Sequence, residues 1–370
     1  MEKKITVGIL CGGRSAEHEV SLQSAKSVVE AIDRHRYEVI LIGLDKAGKW
    51  HAYDSLDFLE NLDDPSRISL RPSESRIALV PGEKEQRLLD LSTNREIGPI
   101  DVFFPVLHGT FGEDGTIQGL FEMIDAPFVG AGVLSSAVGM DKDVTKRLLR
   151  DAGLPTAKCL IMTGSSRKSM PFSRVTEAVG LPFFVKPANL GSSVGVGKVT
   201  KEEEFDAAMD TAFEYDQKIL LEQFIPGREI ECSVLGNENP IASLPGEVIP
   251  NPERYGFYSY DAKYIDGNGA VLKIPADLRQ DTVGRVQSLA IQAFKALCCE
   301  GMARADFFLS DDYGIVINEL NLIPGFTKIS MYPKLWEFSG IPYPELIDRL
   351  IRLAMERYER ERSVQISIFR

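Results

Sequence analysis

The sequence predicts an α/β fold divided among three lobes, and two observations carry that expectation. Residues 1–44 alternate buried-type strands with a helical period, and the same alternation resumes at Asp101 and runs to the last helix. The chain has 370 residues, enough for two or three domains at roughly 150 each. Apolar residues make up 44% and charged residues 26%, an ordinary balance for a globular protein with a sizeable core. Lys and Arg number 42 against 54 Asp and Glu, a net charge of −12. That acidity argues against non-specific nucleic-acid or anionic-membrane binding. No apolar run approaches the ~18 residues of a membrane helix. The function class that remains is a multi-domain enzyme.

The elements follow in order. Ile5–Leu10 is a short apolar run of the buried parallel kind, ending in Gly12-Gly13. Val20, Ala25, Val28, Val29 and Ile32 recur at helical spacing, and Tyr37–Leu44 is a second buried strand. Residues 46–100 are polar and irregular, and a hairpin or surface excursion is expected there. Asp101–Leu107 returns as a strand, Ile117–Ile124 as a helix and Pro127–Gly130 as a strand. Residues 141–152 form a charged amphipathic helix closed by Gly153 and Pro155. A helix over Glu202–Glu214, another over Asp281–Glu300 and a last one from Pro344 to about Arg362 complete the outline. The short apolar stretch after Met1 lacks the length and cleavage site of a secretory signal. Five cysteines without a C-x-x-C pair suit a reduced compartment, so a cytoplasmic location is expected.

The strongest chemical signal is Arg304-Ala305-Asp306, a turn, and Asn318-Glu319-Leu320-Asn321. Side chains alternate along strands, so Arg304 and Asp306 share a face, as do Glu319 and Asn321. With Asp311–Gly314 as a four-residue type I turn, Ser310 pairs Ile315, Asp306 faces Glu319 and Arg304 faces Asn321. Facing carboxylates repel unless a cation or proton lies between them, and oxygen-only ligands suit Mg²⁺ or Mn²⁺. A salt-bridged hairpin with solvated acids is the plainer alternative. A second signal is Phe183-Phe184-Val185-Lys186, a strand closed by lysine, running into the small-residue loop Gly191-Ser192-Ser193-Val194-Gly195. Such a loop lets backbone N–H groups approach phosphate while lysine neutralises charge. It lacks the spacing of a P-loop. It also matches G-x-S-x-G, but poor helix formers follow and every histidine lies upstream, which disfavours a hydrolase. Glu222–Glu229 follows a strand and offers free backbone for a base edge; Gly130–Ser135 reads as turn geometry.

Taken in order, these segments resemble the D-alanine–D-alanine ligases of the ATP-grasp superfamily. The matching stretches are Gly12–Ser21, His108-Gly109 through Thr116, Met140-Asp141-Lys142, Lys186–Gly195, Tyr260–Tyr264, Arg304–Asp306 and Asn318–Thr327. The resemblance implies an ATP-grasp fold with a Rossmann-like, parallel α/β N-terminal domain at 1–130. A central lobe over 131–225 and a C-terminal lobe over 226–370 would follow. It implies ADP-forming ligation of two D-alanines through an acyl phosphate for peptidoglycan, in a homodimer. Lys142 and Lys186 would hold ATP phosphates with Ser192 and Ser193. Glu222, Gln223, Ile225 and Glu229 would bind adenosine, and Asn318 and Glu319 would complete the nucleotide site. Asp306, Glu319 and Asn321 would hold two Mg²⁺ or Mn²⁺ ions. Arg304 and the Gly325 N–H would stabilise the oxyanion. Glu17, helped by His108, would bind the first ammonium. Ser330 and Met331, with Lys263 and Tyr264, would contact the second alanine, and Ser192 would link its loop to Glu17 and Tyr264. The loop from Pro250 to Gly269 would close as a lid. Ala305 and Leu322-Ile323 depart from the usual pattern without removing a ligand. Lys263-Tyr264 favours an amine nucleophile over the lactate of the D-alanine–D-lactate ligases. Another carboxylate–amine ligase of the superfamily, or a silent nucleotide-binding protein, are the further alternatives.

Overall fold

The computed structural model describes residues 3–53, 57–62, 64, 65, 67–82, 86–191, 194–250 and 270–364. Three larger sheets organise them. In the first, the order is Trp50–Tyr53, Tyr37–Leu44, Ile5–Gly12, Val102–Pro105, parallel except for the edge strand Trp50–Tyr53. Its first strand has Val7, Ile9 and Cys11 on one face and Leu10 on the other, all fully buried. Such two-sided burial is what parallel strands require. Helix His18–Ala31 covers one face through Leu22, Ala25, Val28 and Val29, and Leu346, Leu350 and Ile351 of the last helix, Tyr343–Arg362, join it there. Phe103, Phe121 and Phe128 fill the opposite side.

Residues 46–100 contribute that edge strand, a two-stranded pair and a three-stranded antiparallel sheet ending at Ile100. The excursion expected from the sequence is therefore two small sheets, with Leu88 and Ile100 tied into the main core. The strand expected at Pro127–Gly130 reduces to one bridge, Phe103 to Phe128, because Gly130 turns the chain away at positive φ. The helix expected to reach Glu300 stops at Ala296.

The second sheet is antiparallel, in the order Cys159–Thr163, Lys218–Gln223, Phe183–Pro187, Gly197–Val199. Helices Phe172–Val179 and Phe205–Tyr215 pack on Phe183, Val185, Ile219 and Leu221. Alternation leaves Phe184, Lys186, Leu220 and Glu222 on the other face. A strand follows the small-residue loop, so no nucleophile elbow forms.

The third sheet runs Ala270–Lys273, Gly246–Pro250, Arg228–Gly236, Gly301–Ser310, Gly314–Asn321. Helix Gln280–Ala296 buries Ile230, Cys232, Val234, Ala303, Ala305 and Phe307. Glu229, Glu231, Arg304, Asp306 and Phe308 therefore line the opposite face, toward the second sheet. Thr156 bridges Ile317 between the two sheets. No helix among the described residues is long and apolar enough to cross a membrane.

Candidate active site

The last two strands carry the carboxylates, and their register differs near the turn from the expected one. Ser310 pairs Gly314, so the connection is the three residues Asp311–Tyr313. Gly314, at φ +70, takes the left-handed position that closes a three-residue hairpin. A bulge then adds one residue, Asn318, between the pairs Phe307–Ile317 and Asp306–Glu319. The two offsets cancel: Asp306 faces Glu319 and Arg304 faces Asn321, as the sequence predicts. The bulge also sets the faces. Ile315 and Ile317 join Leu320 and Leu322 in one core, although their positions differ in parity. Glu319 and Asn321 are thereby turned out of that core toward the cleft.

Arg304 is held by two carboxylates on this wall, hydrogen-bonded to Asp306 and ion-paired with Glu231. Its Nε lies 2.7 Å from Asp306 Oδ1 and 2.9 Å from Glu231 Oε2, and its second amino group donates to Asp306 Oδ2 at 2.8 Å. Asn321 Nδ2 donates to the same Oδ2 at 2.8 Å, which leaves its amide oxygen on the other side of the group. Two carboxylates and one amide oxygen fit a hard divalent cation, a donor set free of sulfur and imidazole. Glu231 was not among the sequence candidates. Its signal was the alternation Glu229-Ile230-Glu231-Cys232, which puts two acids on the cleft face of a core strand.

The facing wall carries the lysines. Asp141 caps helix Lys142–Asp151 by accepting the Asp143 and Val144 N–H groups. That cap starts the helix at Lys142, whose Nζ donates to the Leu190 carbonyl at 2.6 Å and lies 3.7 Å from Glu319 Oε2. One side chain thus joins the small-residue loop to the carboxylate strand. Lys186 pairs with Glu222 from the adjacent strand. Burial pushes the Lys186 ammonium down, but Glu222 outweighs it and holds the pKa above the ordinary lysine range. Glu222 is 3% exposed. Burial pushes it up, and Lys146 and Lys186 together hold it below the ordinary carboxylate range. Its two oxygens meet Lys146 and Lys186. Gln223 lies beside it with its N–H on the Lys158 carbonyl at 2.9 Å. Ile225 packs with Ala157, Val316 and Phe308 in a small apolar cluster at the end of the cleft. Glu229 faces the cleft next to Phe308.

The first-sheet end of the cleft holds Glu17 and His108. Glu17 precedes helix His18–Ala31 and is 8% exposed. Its Oε2 would lie 2.6 Å from a Cβ at Gly109, so the carboxylate sits directly over that backbone. Gly191 of the small-residue loop also approaches it, at 3.6 Å by the same measure. His108 Nδ1 is 3.1 Å from the Ile323 carbonyl and 3.5 Å from Glu113 Oε1. Its Nε2 is 3.0 Å from Ser24 Oγ, which also accepts the Phe326 N–H at 3.2 Å. Burial pushes the imidazole down, but Glu113 by hydrogen bond and charge, then Glu17 and the Ile323 carbonyl, outweigh it and raise its pKa. Ser24 and Glu113 were missed as site residues. A serine inside the apolar stripe of the first helix was the available clue.

Beyond Phe326 the chain turns into helix Met331–Phe338. Ser330 Oγ accepts the Thr327 N–H at 3.1 Å and would lie 2.9 Å from a Cβ at Gly325, so these two residues touch. Met331 is buried with Val248 and Leu335. Asn318 is at the bulge, partly buried. Ser192, Ser193, Lys263 and Tyr264, with the lid expected over 250–269, lie outside the described residues apart from the strand end at Pro250.

The two sheets facing across this cleft define the class: the fold is ATP-grasp, with a parallel α/β lobe in front of it. Solved structures with the same architecture include the D-alanine–D-alanine ligase of Coxiella burnetii, at TM-score 0.81 and 38% identity, covering 97% of this chain and 96% of that one. The VanG D-Ala:D-Ser ligase of Enterococcus faecalis matches at TM-score 0.82 and 34% identity, covering 95% and 100%. A family model described as "D-ala D-ala ligase N-terminus" matches residues 6–131, and one described as "D-ala D-ala ligase C-terminus" matches 148–352. The D-alanine–D-alanine ligase of Shouchella clausii is 54% identical over 369 residues, covering 100% of this chain and 99% of its own. D-alanine–D-alanine ligase A of Escherichia coli K12 is 52% identical over 366 residues, covering 99% and 100%. The chain belongs to the D-alanine–D-alanine ligase family, and it is an enzyme of the ADP-forming ligase type.

Proposed function

We propose that this chain joins two D-alanines into D-alanyl-D-alanine, consuming ATP, and that the cleft between the second and third sheets is where it does so. The observation that supports the reading most directly is the pairing of walls. Lys142 and Lys186 face Asp306, Glu319 and Asn321, with Lys142 Nζ 3.7 Å from Glu319. Phosphoryl transfer depends mainly on positioning and charge neutralisation. Asp306, Glu319 and Asn321 would hold divalent ions, Mg²⁺ or Mn²⁺ and two in number, which neutralise the phosphates. Lys142 and Lys186 add fixed positive charge, and the apolar cluster around Ile225 and Val316 receives the base.

Glu17 binds the ammonium of the first D-alanine, and His108 fixes the turn beside it. The carboxylate oxygen of that alanine attacks the γ-phosphorus, and the bond to ADP breaks. The amine of the second alanine, positioned by Ser330 with Lys263 and Tyr264, then attacks the acyl carbon. The negative oxygen that forms meets Arg304 and the Gly325 N–H, and phosphate leaves with one former carboxylate oxygen. A donor at such a site is typically worth about 3–4 kcal/mol. Tethering of Arg304 by Glu231 and Asp306 orients it in advance. The product serves peptidoglycan precursors, in the cytoplasm, and the working form is a homodimer. The enzyme is divided into three lobes, at 1–130, 131–225 and 226–370.

The test is ADP release with ATP, Mg²⁺ and D-alanine, with product mass recorded, beside parallel reactions adding D-serine or D-lactate. Dipeptide equal to ADP supports the reading, and chelating the divalent ion should stop it. ADP released only with another carboxylate–amine pair overturns the substrate. Tight ATP binding with no turnover leaves a silent nucleotide-binding protein.

A further inference from the structure

Lys146 is 1% exposed and takes no part in the mechanism above. It stands one helical turn after Lys142, on the same helix face, and its ammonium reaches inward to Glu222 Oε1. Lys186 takes the other oxygen, Oε2. Two ammoniums therefore share one carboxylate, and the group carries one surplus positive charge. The two lysines are not equivalent. The Lys146 side chain is 2% exposed, whereas that of Lys186 is 14% exposed and lies on the cleft face.

We infer that Lys146 is a positioning residue for nucleotide binding: it saturates Glu222, so that the charge of Lys186 stays available to phosphate. The inference rests on the nucleotide role given to Lys186 above. Without Lys146, Glu222 and Lys186 form a neutral pair in a low-dielectric setting, where such pairing is strong. The carboxylate then competes with phosphate for the same ammonium. Lys142 does not replace the lost charge, because its Nζ is engaged by the Leu190 carbonyl and faces Glu319. Helix Lys142–Asp151 thus acts twice, with Lys142 toward the cleft and Lys146 beneath it.

A purely structural ion pair and this charge relay predict different results. ADP titration by calorimetry on the whole protein, beside steady-state kinetics, separates them. Lys146→Met should weaken ADP binding and raise the ATP KM by about tenfold, with kcat and the D-alanine KM within about threefold. Lys146→Met with Glu222→Gln should recover most of the ADP affinity, because removing the competing carboxylate frees Lys186 again. Lys146→Arg should stay near wild type. An ADP affinity unchanged in Lys146→Met, or no better in the double variant, overturns the inference. If Lys146→Met does not fold, Glu222→Gln alone decides: the relay predicts ADP affinity at least equal to wild type, and weaker binding contradicts it. Wild-type protein that binds no ADP sinks the nucleotide reading itself, a result distinguishable from all of these.

Discussion

Arg304 needs no ligand to find its place. Glu231 and Asp306 hold it from two strands, and both lie on the face opposite the core. Arg304→Ala should lower kcat by about 10²–10³ with a small change in the ATP KM, read from steady-state kinetics. A mainly raised KM would make Arg304 a substrate clamp instead. His108 carries a separate, pH-dependent prediction. Its folded pKa is raised above the unfolded ~6.5, chiefly by Glu113 against the cost of burial. The stabilisation is therefore complete below about pH 6.5 and is lost as pH rises through the folded value. Glu113→Gln should lower Tm more at pH 6 than at pH 9; an equal loss at both would remove the charge argument. Glu222 has the opposite sign, since its folded pKa is depressed. Its contribution is present above about pH 4.3 and is lost in stronger acid, so it stays silent across the same range. Arg304, Asp306, Glu319 and Asn321 were legible in the sequence because strand alternation exposes them. Lys146 was not, because a lysine in a charged amphipathic helix looks like any other solvated position until its partners are known, whereas Ser24 stands out only as a serine within an apolar stripe.

Among the elements, the bulge at Asn318 does the most to shape the site. The facing pairs are those that straight alternation predicts although the turn is one residue shorter, since the shorter loop and the extra residue offset each other. The missing clue was a change of parity: Ile315 and Ile317 are core, and so are Leu320 and Leu322. Straight alternation allows no such switch, so a residue must be extruded between them. Deleting Asn318 should remove the bulge and leave Glu319 and Asn321 on the cleft face, because Ile317, Leu320 and Leu322 then alternate without a break; Tm should change little, and the ATP KM reads what Asn318 itself contributes. A large loss of Tm in that deletion would show that the Glu319 and Asn321 side chains had turned into the core and that parity does not set the faces.

At the scale of the whole molecule, the last helix returns to the first sheet. Tyr37 donates to Asp348 at 2.6 Å across 311 residues of chain. Arg357, 3% exposed, donates to the Gly130 carbonyl at 2.5 Å and the Phe128 carbonyl at 2.8 Å. Arg357→Ala should cost about 3 kcal/mol, because two buried carbonyls lose a charged donor; denaturant unfolding measures it. A change within about 0.5 kcal/mol would mean that water replaces the guanidinium. Periodicity made the helix and its apolar stripe legible, whereas the surface it covers depends on a contact that no local pattern encodes. The same closure brings the Ile323–Phe326 turn against Ser24 and His108, so the Gly325 turn and the Glu17–His108 end of the cleft are fixed to one another.

The most direct test of this account follows oxygen. D-alanine labelled with ¹⁸O in its carboxylate is turned over with ATP and Mg²⁺, and the released phosphate is weighed by mass spectrometry. An acyl-phosphate route places one ¹⁸O in phosphate for each dipeptide formed. Unlabelled phosphate beside labelled dipeptide would contradict it.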